Sequence, residues 1–247
     1  MNAGSVNSFF ETTHLFAAYT TEHYLVVTGF IFFCIWFVRM MRSRPKEDQR
    51  RILLWMSVVV SLFQLAKIPL NLYTGVFDVT KDIPLHMCNF LPFVLVWVFY
   101  SKSRVVWATI FFWVILGASQ ANLTPTTDFA LFYYDSIRYW VVHLFIVLLT
   151  IYPAIVWKWD LELKDVWRTF VALNAVALVI YFFNLMLGSN YLYIMYKPDN
   201  ASLFALFPPW PTYILVIEGI LIAWSLVLFG VFKMIRNRSL SWKVVRN

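Results

Sequence analysis

The side chains best suited to covalent chemistry lie close together near the start of an apolar stretch. Cys88 stands in the run Leu85-His86-Met87-Cys88-Asn89. Free backbone N–H groups and the positive end of a helix dipole favour a thiolate at such a position, whereas burial in lipid opposes it. A thiolate next to a base is the pair that acyl transfer through a thioester requires. The run is therefore a candidate covalent site, although the two opposing effects leave the state of the thiol open.

Two histidines could supply the base. His86 and Cys88 are two residues apart, about 200° around an ideal helix, so they cannot both face one pocket of a regular helix. His143 lies in a later apolar segment with Asp135 and Arg138, and these three side chains fall on an arc of roughly 140°. Asp135 and Arg138 can pair at three-residue spacing, which leaves His143 deeper and without a local acid. The residues alone leave open whether His143 is a base or a structural histidine.

Other charged and amide side chains occur within apolar segments, where they are costly and often functional. Gln64, Lys67 and Asn71 are spaced to line one helical face. At a rise of ~1.5 Å per residue, Lys67 and Glu218 lie about 12 Å and about 10 Å below the outer ends of their helices, so we expect a buried ion pair between them. That pair either locks helices together or holds a substrate headgroup. Further polar residues at the same outer level are Gln120, Asn122, Thr124, Asn184, Asn190, Tyr191 and Tyr193.

The composition indicates that lipid surrounds these residues. The 247-residue chain is 61% hydrophobic and 13% charged, whereas a soluble domain carries about 25% charged residues. Seven apolar stretches are long enough, or nearly so, to cross about 30 Å of hydrocarbon as helices. They cover residues 24–41, 52–76, 83–100, 104–121, 131–156, 166–190 and 211–235. We therefore predict an all-α membrane protein of about seven transmembrane helices, a single polytopic domain over residues 1–247. Asp82 is expected to cap the third helix and Pro84 to lie in its first turn.

The basic residues predict the orientation of this domain. Sixteen of the twenty Lys and Arg residues follow the first, third, fifth and seventh predicted helices, and an excess of Lys and Arg marks cytoplasmic loops. The N-terminus is therefore expected outside the cytoplasm and the C-terminus inside it. The net charge of +7 consequently reflects membrane orientation, and nucleic acid is not an expected partner.

Four ordered motifs over predicted helices three to six resemble those of a known family. They are Ile83-Pro-Leu-His-Met-Cys88, Gly117-Ala-Ser-Gln-Ala-Asn-Leu-Thr-Pro125, Arg138-Tyr139 followed by His143, and Asn190-Tyr-Leu-Tyr193 leading to Lys197-Pro198. In these motifs the chain resembles the bacterial YwaF-like membrane proteins, which are similar in turn to eukaryotic transmembrane protein 164. The resemblance implies a protein of the bacterial cytoplasmic membrane. It also implies an enzyme, a phospholipid acyltransferase or lipid-remodelling enzyme that uses a cysteine nucleophile and a histidine.

Those two roles map onto Cys88 and His143. The other candidates are less suitable, because Cys34 lies in a featureless apolar segment and His14 and His23 lie outside the predicted spans. The Cys88 thiolate would attack a phospholipid ester to give a thioester, with His143 acting first as base and then as acid. We therefore predict that the Cys88 sulfur lies close to the His143 ring.

Side chains around this pair would support the reaction. An amide such as Asn89, Gln120 or Asn190 could stabilise the oxyanion, and Arg138 or Lys67 could hold a phosphate. His86 is expected to orient the site or bind the headgroup. The expected supporting residues are His86, Asn89, Gln120, Thr124, Arg138, Asn190, Tyr191, Lys67 and Glu218. Membrane lipids are the expected partners, no cofactor or metal is expected, and the oligomeric state is open.

Three other functions are compatible with some of these residues. A transporter or channel could use the intramembrane Lys, Glu, Arg and His side chains as a pathway, but these residues concentrate in the outer halves of the helices, so no continuous route is visible. A metal-dependent lipid hydrolase could use His86, Cys88, His143 and Asp135, although no two such ligands have the spacing of a helical metal motif. A receptor-like function is supported only by the number of predicted helices.

Overall fold

The chain folds into a bundle of apolar helices. The computed structural model describes residues 16–125, 131–197 and 207–244, with side chains to residue 237. Across those residues every regular element is helical. The α-helices are α1 (Thr21–Arg42), α2 (Lys46–Leu65), α3 (Lys67–Thr74), α4 (Met87–Ser101), α5 (Arg104–Phe112), α6 (Gln120–Leu123), α7 (Tyr134–Tyr152), α8 (Leu163–Leu187) and α9 (Thr212–Val244). A short 3-10 helix spans Tyr191–Tyr193.

Six helical segments in the described part of the chain are long and apolar enough to cross a membrane. They comprise α1, α2 joined to α3, α5 joined to α6, α7 with the turn that follows it, α8, and α9 as far as Asn237. α4 is a shorter apolar helix of 15 residues. The prediction of an all-α membrane fold with about seven long apolar helices is therefore confirmed.

The centre of the bundle is formed mainly by α2, α4, α5 and α7. Trp107, Phe112, Ile146 and Tyr152 are fully buried there. α1, α8 and α9 lie at the periphery, since only 11%, 11% and 6% of their most apolar windows are buried inside the protein. A helix that is apolar on all sides and exposes its large side chains is suited to lipid rather than water.

Two helical segments contain a turn of π-helix, at Trp113–Ala118 after α5 and at Pro153–Trp157 after α7. Pro153 has no N–H to donate, which disturbs the regular ladder at that point. The indole N–H of Trp107 donates to the Thr150 carbonyl at 2.8 Å and so fixes α5 against α7 just before the second turn. Turns of this kind re-aim the residues that follow them and are frequent at functional sites.

The start of α4 differs from the prediction. The helix begins at Met87, and His86 precedes it as an N-cap residue whose side chain makes no capping bond. Asp82 therefore does not cap this helix, and Pro84 does not lie in its first turn. The segment between α3 and α4 turns instead at Gly75, whose φ of 74° lies in the left-handed region that glycine tolerates, and a further turn follows in which the Leu85 N–H bonds the Ile83 carbonyl.

The basic residues meet at one end of the bundle, called here the basic end. Arg50 in α2 donates to the Phe99 carbonyl at the end of α4 at 2.9 Å. Arg104 at the start of α5 donates to the Asp160 carbonyl at 3.0 Å, and Lys233 in α9 pairs with the Asp160 carboxylate at 2.9 Å. The loops that the sequence assigns to one membrane face thus lie together. Their assignment to the cytoplasm stays a prediction.

Candidate functional site

The start of α4 is recessed from the end of the bundle opposite the basic end. α3 runs on to Thr74, but the returning chain brings the Asp82 carboxylate to 2.7 Å from the Lys67 ammonium. Lys67 lies seven residues before Thr74, about 10 Å along the helix. The segment 75–86 therefore descends into the bundle before α4 begins, and Cys88 is the second residue of that helix.

Cys88 occupies the position at which backbone N–H groups lack a carbonyl partner within the helix. Its thiol is free and partly buried, and it packs against the main apolar core with Met87 and Phe90. Met87 Sδ lies 3.9 Å from the point where a Cβ on Gly117 would stand, so the first turn of α4 faces the π-helical turn that precedes α6. The first and second sequence motifs thus meet here.

His86 lies between two tyrosine rings of the 3-10 helix. Its ring centroid is 5.1 Å from that of Tyr191 and 5.1 Å from that of Tyr193. The Leu192 N–H points at His86 Nδ1 over 3.4 Å, so Nδ1 accepts a hydrogen bond and a neutral ring carries its proton on Nε2. In this tautomer His86 can donate a proton or a hydrogen bond from Nε2.

The loop that presents these tyrosines is held by hydrogen bonds at several points. Tyr191 is fully buried, and its hydroxyl donates to the Val79 carbonyl at 2.7 Å and accepts from the Ile83 N–H at 3.2 Å. The Asn184 carboxamide at the end of α8 bonds both the N–H and the carbonyl of Tyr191. The loop after α8 is thereby fastened to the segment between α3 and α4 around His86.

Two residues of this loop have a strained backbone. Leu192 and Tyr193 have φ of 59° and 55°, in the left-handed region that disfavours residues with a Cβ. Such strain costs of order 1–3 kcal/mol per residue and is concentrated at functional sites. Burial, and in second place the nearby Cys88, raise the pKa of Tyr193.

His143 is held in α7 with one ring nitrogen engaged. Nδ1 lies 2.8 Å from the Tyr139 carbonyl, which can only accept, so Nδ1 carries the proton of the neutral ring. Nε2 is left as the basic nitrogen. The Tyr139 ring lies against the imidazole with a centroid distance of 4.2 Å, and the Asn122 amide donates to the His143 carbonyl at 3.1 Å. These contacts fix the orientation of the buried imidazole and leave Nε2 without a hydrogen bond among the described residues.

The sulfur of Cys88 makes no hydrogen bond to His143 or to His86 among the described residues. The predicted pairing of Cys88 with His143 stays a prediction. Arg138 contacts Gln64 of α2, and His143 lies five residues beyond Arg138, about 7 Å further along α7.

The predicted ion pair between Lys67 and Glu218 is wrong. Lys67 pairs with Asp82, whose carboxylate also accepts from the Asn71 amide and the Asp78 N–H, each at 2.9 Å. Glu218 is half-buried and has no ion pair in the described part of the chain. Matched depth alone cannot bring two helices together, whereas the descending segment delivers Asp82 directly to Lys67. Whether Lys67 and Glu218 support substrate binding stays a prediction.

The local pair of Asp135 and Arg138 is confirmed, with a distance of 3.1 Å. Arg138 also donates to the Gln64 side chain at 3.0 Å, so its guanidinium joins α7 to α2. Gln64 therefore faces Arg138 across the helix boundary, while Asn71 faces Asp82. The residues predicted to line one face of α2 and α3 therefore contact two different partners, Arg138 and Asp82.

The remaining candidates have different surroundings. Asn89 is half-buried beside Cys88, and its side chain makes no hydrogen bond among the described residues. Gln120 is exposed, and Thr124 donates to its carbonyl at 3.1 Å. Asn190 bonds the backbone of Met195 and Tyr196 and so shapes the loop. Asn89 is thus the candidate amide that lies next to the thiol with its donors uncommitted.

The sequence reasoning missed two residues of this region. The sequence predicts that Asp82 caps a helix, whereas in the structure it forms an ion pair with Lys67 of the preceding helix. A carboxylate in the segment that follows a helix with an intramembrane lysine is a signal for such a pair. His23 lies inside α1, not outside it, and is buried, with Nε2 at 2.9 Å from the Asn122 carbonyl. Because Asn122 also bonds His143, these contacts connect α1 to the helix that carries the proposed base. His14 lies outside the described residues.

Comparison with known proteins gives one match. A family model described as the TMEM164 family matches residues 18–229. Neither the curated proteins nor the solved structures contain a match to the chain.

Proposed function

The chain belongs to the TMEM164 family, and we propose that it transfers acyl chains between membrane phospholipids through a covalent intermediate on Cys88. The observation that carries the proposal is the position of Cys88 at the recessed start of α4, within the bundle and beside His86 and Tyr193. A thiol at this depth meets the hydrocarbon and ester region of a lipid rather than bulk water. That placement suits transfer of an acyl chain better than its hydrolysis.

In the proposed first step, His143 Nε2 takes the thiol proton and the Cys88 sulfur attacks an ester carbonyl carbon. The C–S bond forms, the bond from carbonyl carbon to glycerol oxygen breaks, and the protonated His143 returns its proton to the departing oxygen. A lysophospholipid leaves and the acyl chain stays on Cys88. Because the two side chains are not hydrogen-bonded in this structure, substrate binding has to bring them together, as is common for sites without substrate.

The second step reverses the first with another lipid. The hydroxyl of an acceptor lysophospholipid loses its proton to His143 Nε2 and attacks the thioester. The C–O bond forms, the C–S bond breaks, and the thiolate of Cys88 regains the proton. No other reactant is required.

The oxyanion that forms in both steps needs hydrogen-bond donors. The Asn89 and Phe90 N–H groups already donate to the His86 carbonyl. The nearest remaining donors in the chain are the N–H groups of Met87 and Cys88, the Asn89 amide and the Nε2–H of His86. Donors fixed in place before the reaction are worth several kcal/mol to such an intermediate, about 3–4 kcal/mol for one side chain. Lys67 and Arg138 hold ion pairs with Asp82 and Asp135 and would have to share them with a phosphate.

A pathway for ions or solutes has less support. The two intramembrane cations at this end are each paired with a carboxylate, and Glu218 does not continue the chain of charges from Lys67. A metal-dependent hydrolase also has less support, because the described residues contain no group of three or more His, Cys, Asp or Glu side chains that could hold a metal ion.

The proposal predicts a thioester on Cys88. The purified protein, incubated with a phospholipid that carries an isotopically labelled acyl chain, should gain the mass of that acyl group. Cys88→Ala should abolish both the adduct and acyl exchange, because no other atom at the site can form the thioester. Intact-mass spectrometry and lipid mass spectrometry measure the two quantities.

Cys34→Ala is the matched control, since Cys34 is the second free thiol and lies in α1. It should leave both the adduct and the exchange rate unchanged. Exchange at the parental rate by the Cys88→Ala protein would show that the covalent mechanism is wrong.

A further inference from the structure

The basic end holds a cavity that the proposed reaction does not use. An open cavity of about 720 Å³ is formed between the turn from α1 to α2 and the end of α7. Four cationic residues line it together with a glutamine and a tryptophan: Arg42, Arg44, Lys46, Lys158, Gln49 and Trp157. No Asp or Glu is among the lining residues within the described chain. A cavity with cations and no acid attracts an anion.

Glu47, the acidic residue that follows Lys46 in the chain, does not neutralise Arg42 or Arg44. Glu47 points away, towards Arg50 and Lys102, and bonds both. Arg42 and Arg44 have no ion pair in the part of the chain that the structure describes. Elsewhere at the basic end the pattern is different, since Asp165 pairs with both Arg104 and Arg168. Positive charge is thus concentrated at the cavity.

The wall of the cavity is fixed by a buried side chain. Gln49 is 5% exposed, and its carbonyl oxygen accepts from the Tyr152 hydroxyl at 2.9 Å and from the Trp157 indole at 2.7 Å. Its amide donates to the Arg44 carbonyl at 2.8 Å. The backbone that carries Arg44 is therefore tied to α7. The general excess of Lys and Arg in cytoplasmic loops does not by itself require such a fixed arrangement.

An apolar groove of about 360 Å³ continues from the cavity between α1 and α7. Ile155 lines both the cavity and the groove. Along α1 the groove runs from Val38 to Val27, eleven residues or about 16 Å. Its walls face the part of the bundle that we assign to the membrane interior, so its natural contents are hydrocarbon.

The donor groups of the polar side chains that line the groove are bonded to acceptors within the protein. The Ser119 hydroxyl donates to the Ile115 carbonyl at 2.6 Å, the Asn122 amide to the His143 carbonyl at 3.1 Å, and the Tyr152 hydroxyl to Gln49. The groove therefore presents a hydrocarbon surface along its length, with the positive cavity at one end of it.

We propose that the cavity and the groove together bind one anionic phospholipid. Its phosphate lies among Arg42, Arg44 and Lys46, and one acyl chain lies along α1 and α7. Basic pockets between membrane helices are suited to anionic headgroups, and guanidinium groups bind phosphate oxygens in pairs. A soluble anion would use the charge of the cavity but not the groove that continues from it. The phosphate end of this site lies at the basic end, whereas the far end of the groove is lined by Asn122, whose amide bonds the His143 carbonyl. The proposal does not depend on the proposed acyl transfer.

Native mass spectrometry of the detergent-solubilised full chain tests the headgroup. Phosphatidylglycerol should bind more tightly than phosphatidylcholine with the same acyl chains. The variant R42Q/R44Q should weaken phosphatidylglycerol binding by about 25-fold, since each cation near a membrane surface contributes about fivefold in affinity. The control R39Q/R51Q removes two exposed arginines of α1 and α2 that do not line the cavity, and should have a much smaller effect. Equal binding of the two lipids, or equal losses in the two variants, would overturn the proposal.

A second pair of variants tests the groove. Ile35→Trp places a large ring in the groove, whereas Phe32→Trp changes an exposed residue of the same helix that does not line it. Phosphatidylglycerol binding should fall at least about tenfold in the first variant and stay unchanged in the second. Unchanged binding by Ile35→Trp would overturn the acyl-chain part of the proposal. Displacement of the lipid by equimolar glycerol phosphate would identify a soluble-anion site and overturn it as well.

Discussion

His143 and His86 have opposite tautomers, which suit them to different chemistry. His143 has its proton on Nδ1 and a free Nε2, whereas His86 accepts at Nδ1 and carries its proton on Nε2. A base needs a free nitrogen and an oxyanion donor needs an N–H. The sequence spacing predicts that His86 faces away from Cys88. It cannot predict the tautomers, because each tautomer depends on a backbone group that the fold brings to the ring.

We predict that His143→Gln slows formation of the Cys88 thioester by about 100-fold or more, the usual contribution of a general base. His86→Gln should slow it less, because a glutamine amide can still donate a hydrogen bond. Rapid quenching followed by intact-mass spectrometry measures both rates. A larger loss in His86→Gln than in His143→Gln would move the role of base to His86.

The ionisation of Asp82, whose carboxylate neutralises Lys67, is also determined by a few individual contacts. Burial alone would raise the pKa of Asp82, but bonds from the Asp78 N–H, Lys67 and Asn71 outweigh it and hold the pKa below its usual range. A lowered pKa means that the stability from this group is present above pH ~4 and is lost only as the pH falls through the folded-state value. The ion pair between Lys67 and Asp82 therefore contributes a constant amount to stability near neutral pH.

We predict that Asp82→Asn destabilises the protein by about 2 kcal/mol, since it removes charged hydrogen bonds of a residue that is 6% exposed. The thermal midpoint in detergent at neutral pH should fall by about 4–8 °C. Glu218→Gln is the control, because Glu218 has no ion pair among the described residues, and its midpoint should stay within about 1 °C. The opposite result would restore a partner for Glu218.

Interruptions of the helices, more than the helices themselves, determine the site. The breaks at Ala66 and Gly75, the π-helical turn before α6 and the strained turn at Leu192 bring the four sequence motifs together. Hydropathy predicted where the long apolar segments lie, because length and composition suffice for that. It could not predict these breaks, since an apolar residue in a regular turn and one in a π turn have the same hydropathy.

The contact between the 3-10 helix and the segment before α4 provides a test at this scale. Tyr191→Phe removes the hydroxyl that bonds Val79 and Ile83, so we expect a loss of about 1–3 kcal/mol in stability. We also expect slower acyl exchange, because the ring that packs on His86 is less well held. Thermal unfolding and the exchange assay measure these effects.

Tyr196→Phe removes a hydroxyl from the same loop on a side chain that is 54% exposed. It should change neither stability nor exchange. If both variants behave alike, the Tyr191 hydroxyl does not organise the site.

The whole molecule has a positively charged end and an end that holds the proposed reaction site. The charge asymmetry was visible in the sequence because alternate loops of a helical bundle share a side, and the contacts of Arg50, Arg104 and Lys233 bring those loops together. Which end faces the cytoplasm depends on insertion into the membrane, which a folded chain does not record.

We predict that the basic end is cytoplasmic, as expected for loops rich in Lys and Arg. In a Cys34→Ala/Cys88→Ala background, a cysteine at Asp48 should resist an impermeant maleimide added to intact cells, and one at Lys81 should react. Both positions are exposed and lie at opposite ends of the bundle. Reaction at position 48 but not at position 81 would reverse the orientation.

The shortness of α4 has a consequence for the surrounding membrane. Its 15 residues span about 22 Å, against a hydrocarbon thickness of about 30 Å. Trp97 and Tyr100, in the last turns of the same helix, are 55% and 66% exposed, so we expect that end of α4 to contact lipid. The missing length lies at the other end, where α4 begins beside Cys88. A hydrophobic segment shorter than the bilayer is accommodated partly by local thinning. We therefore expect the leaflet next to α4 to dip, which lowers the lipid ester bonds towards the depth of Cys88.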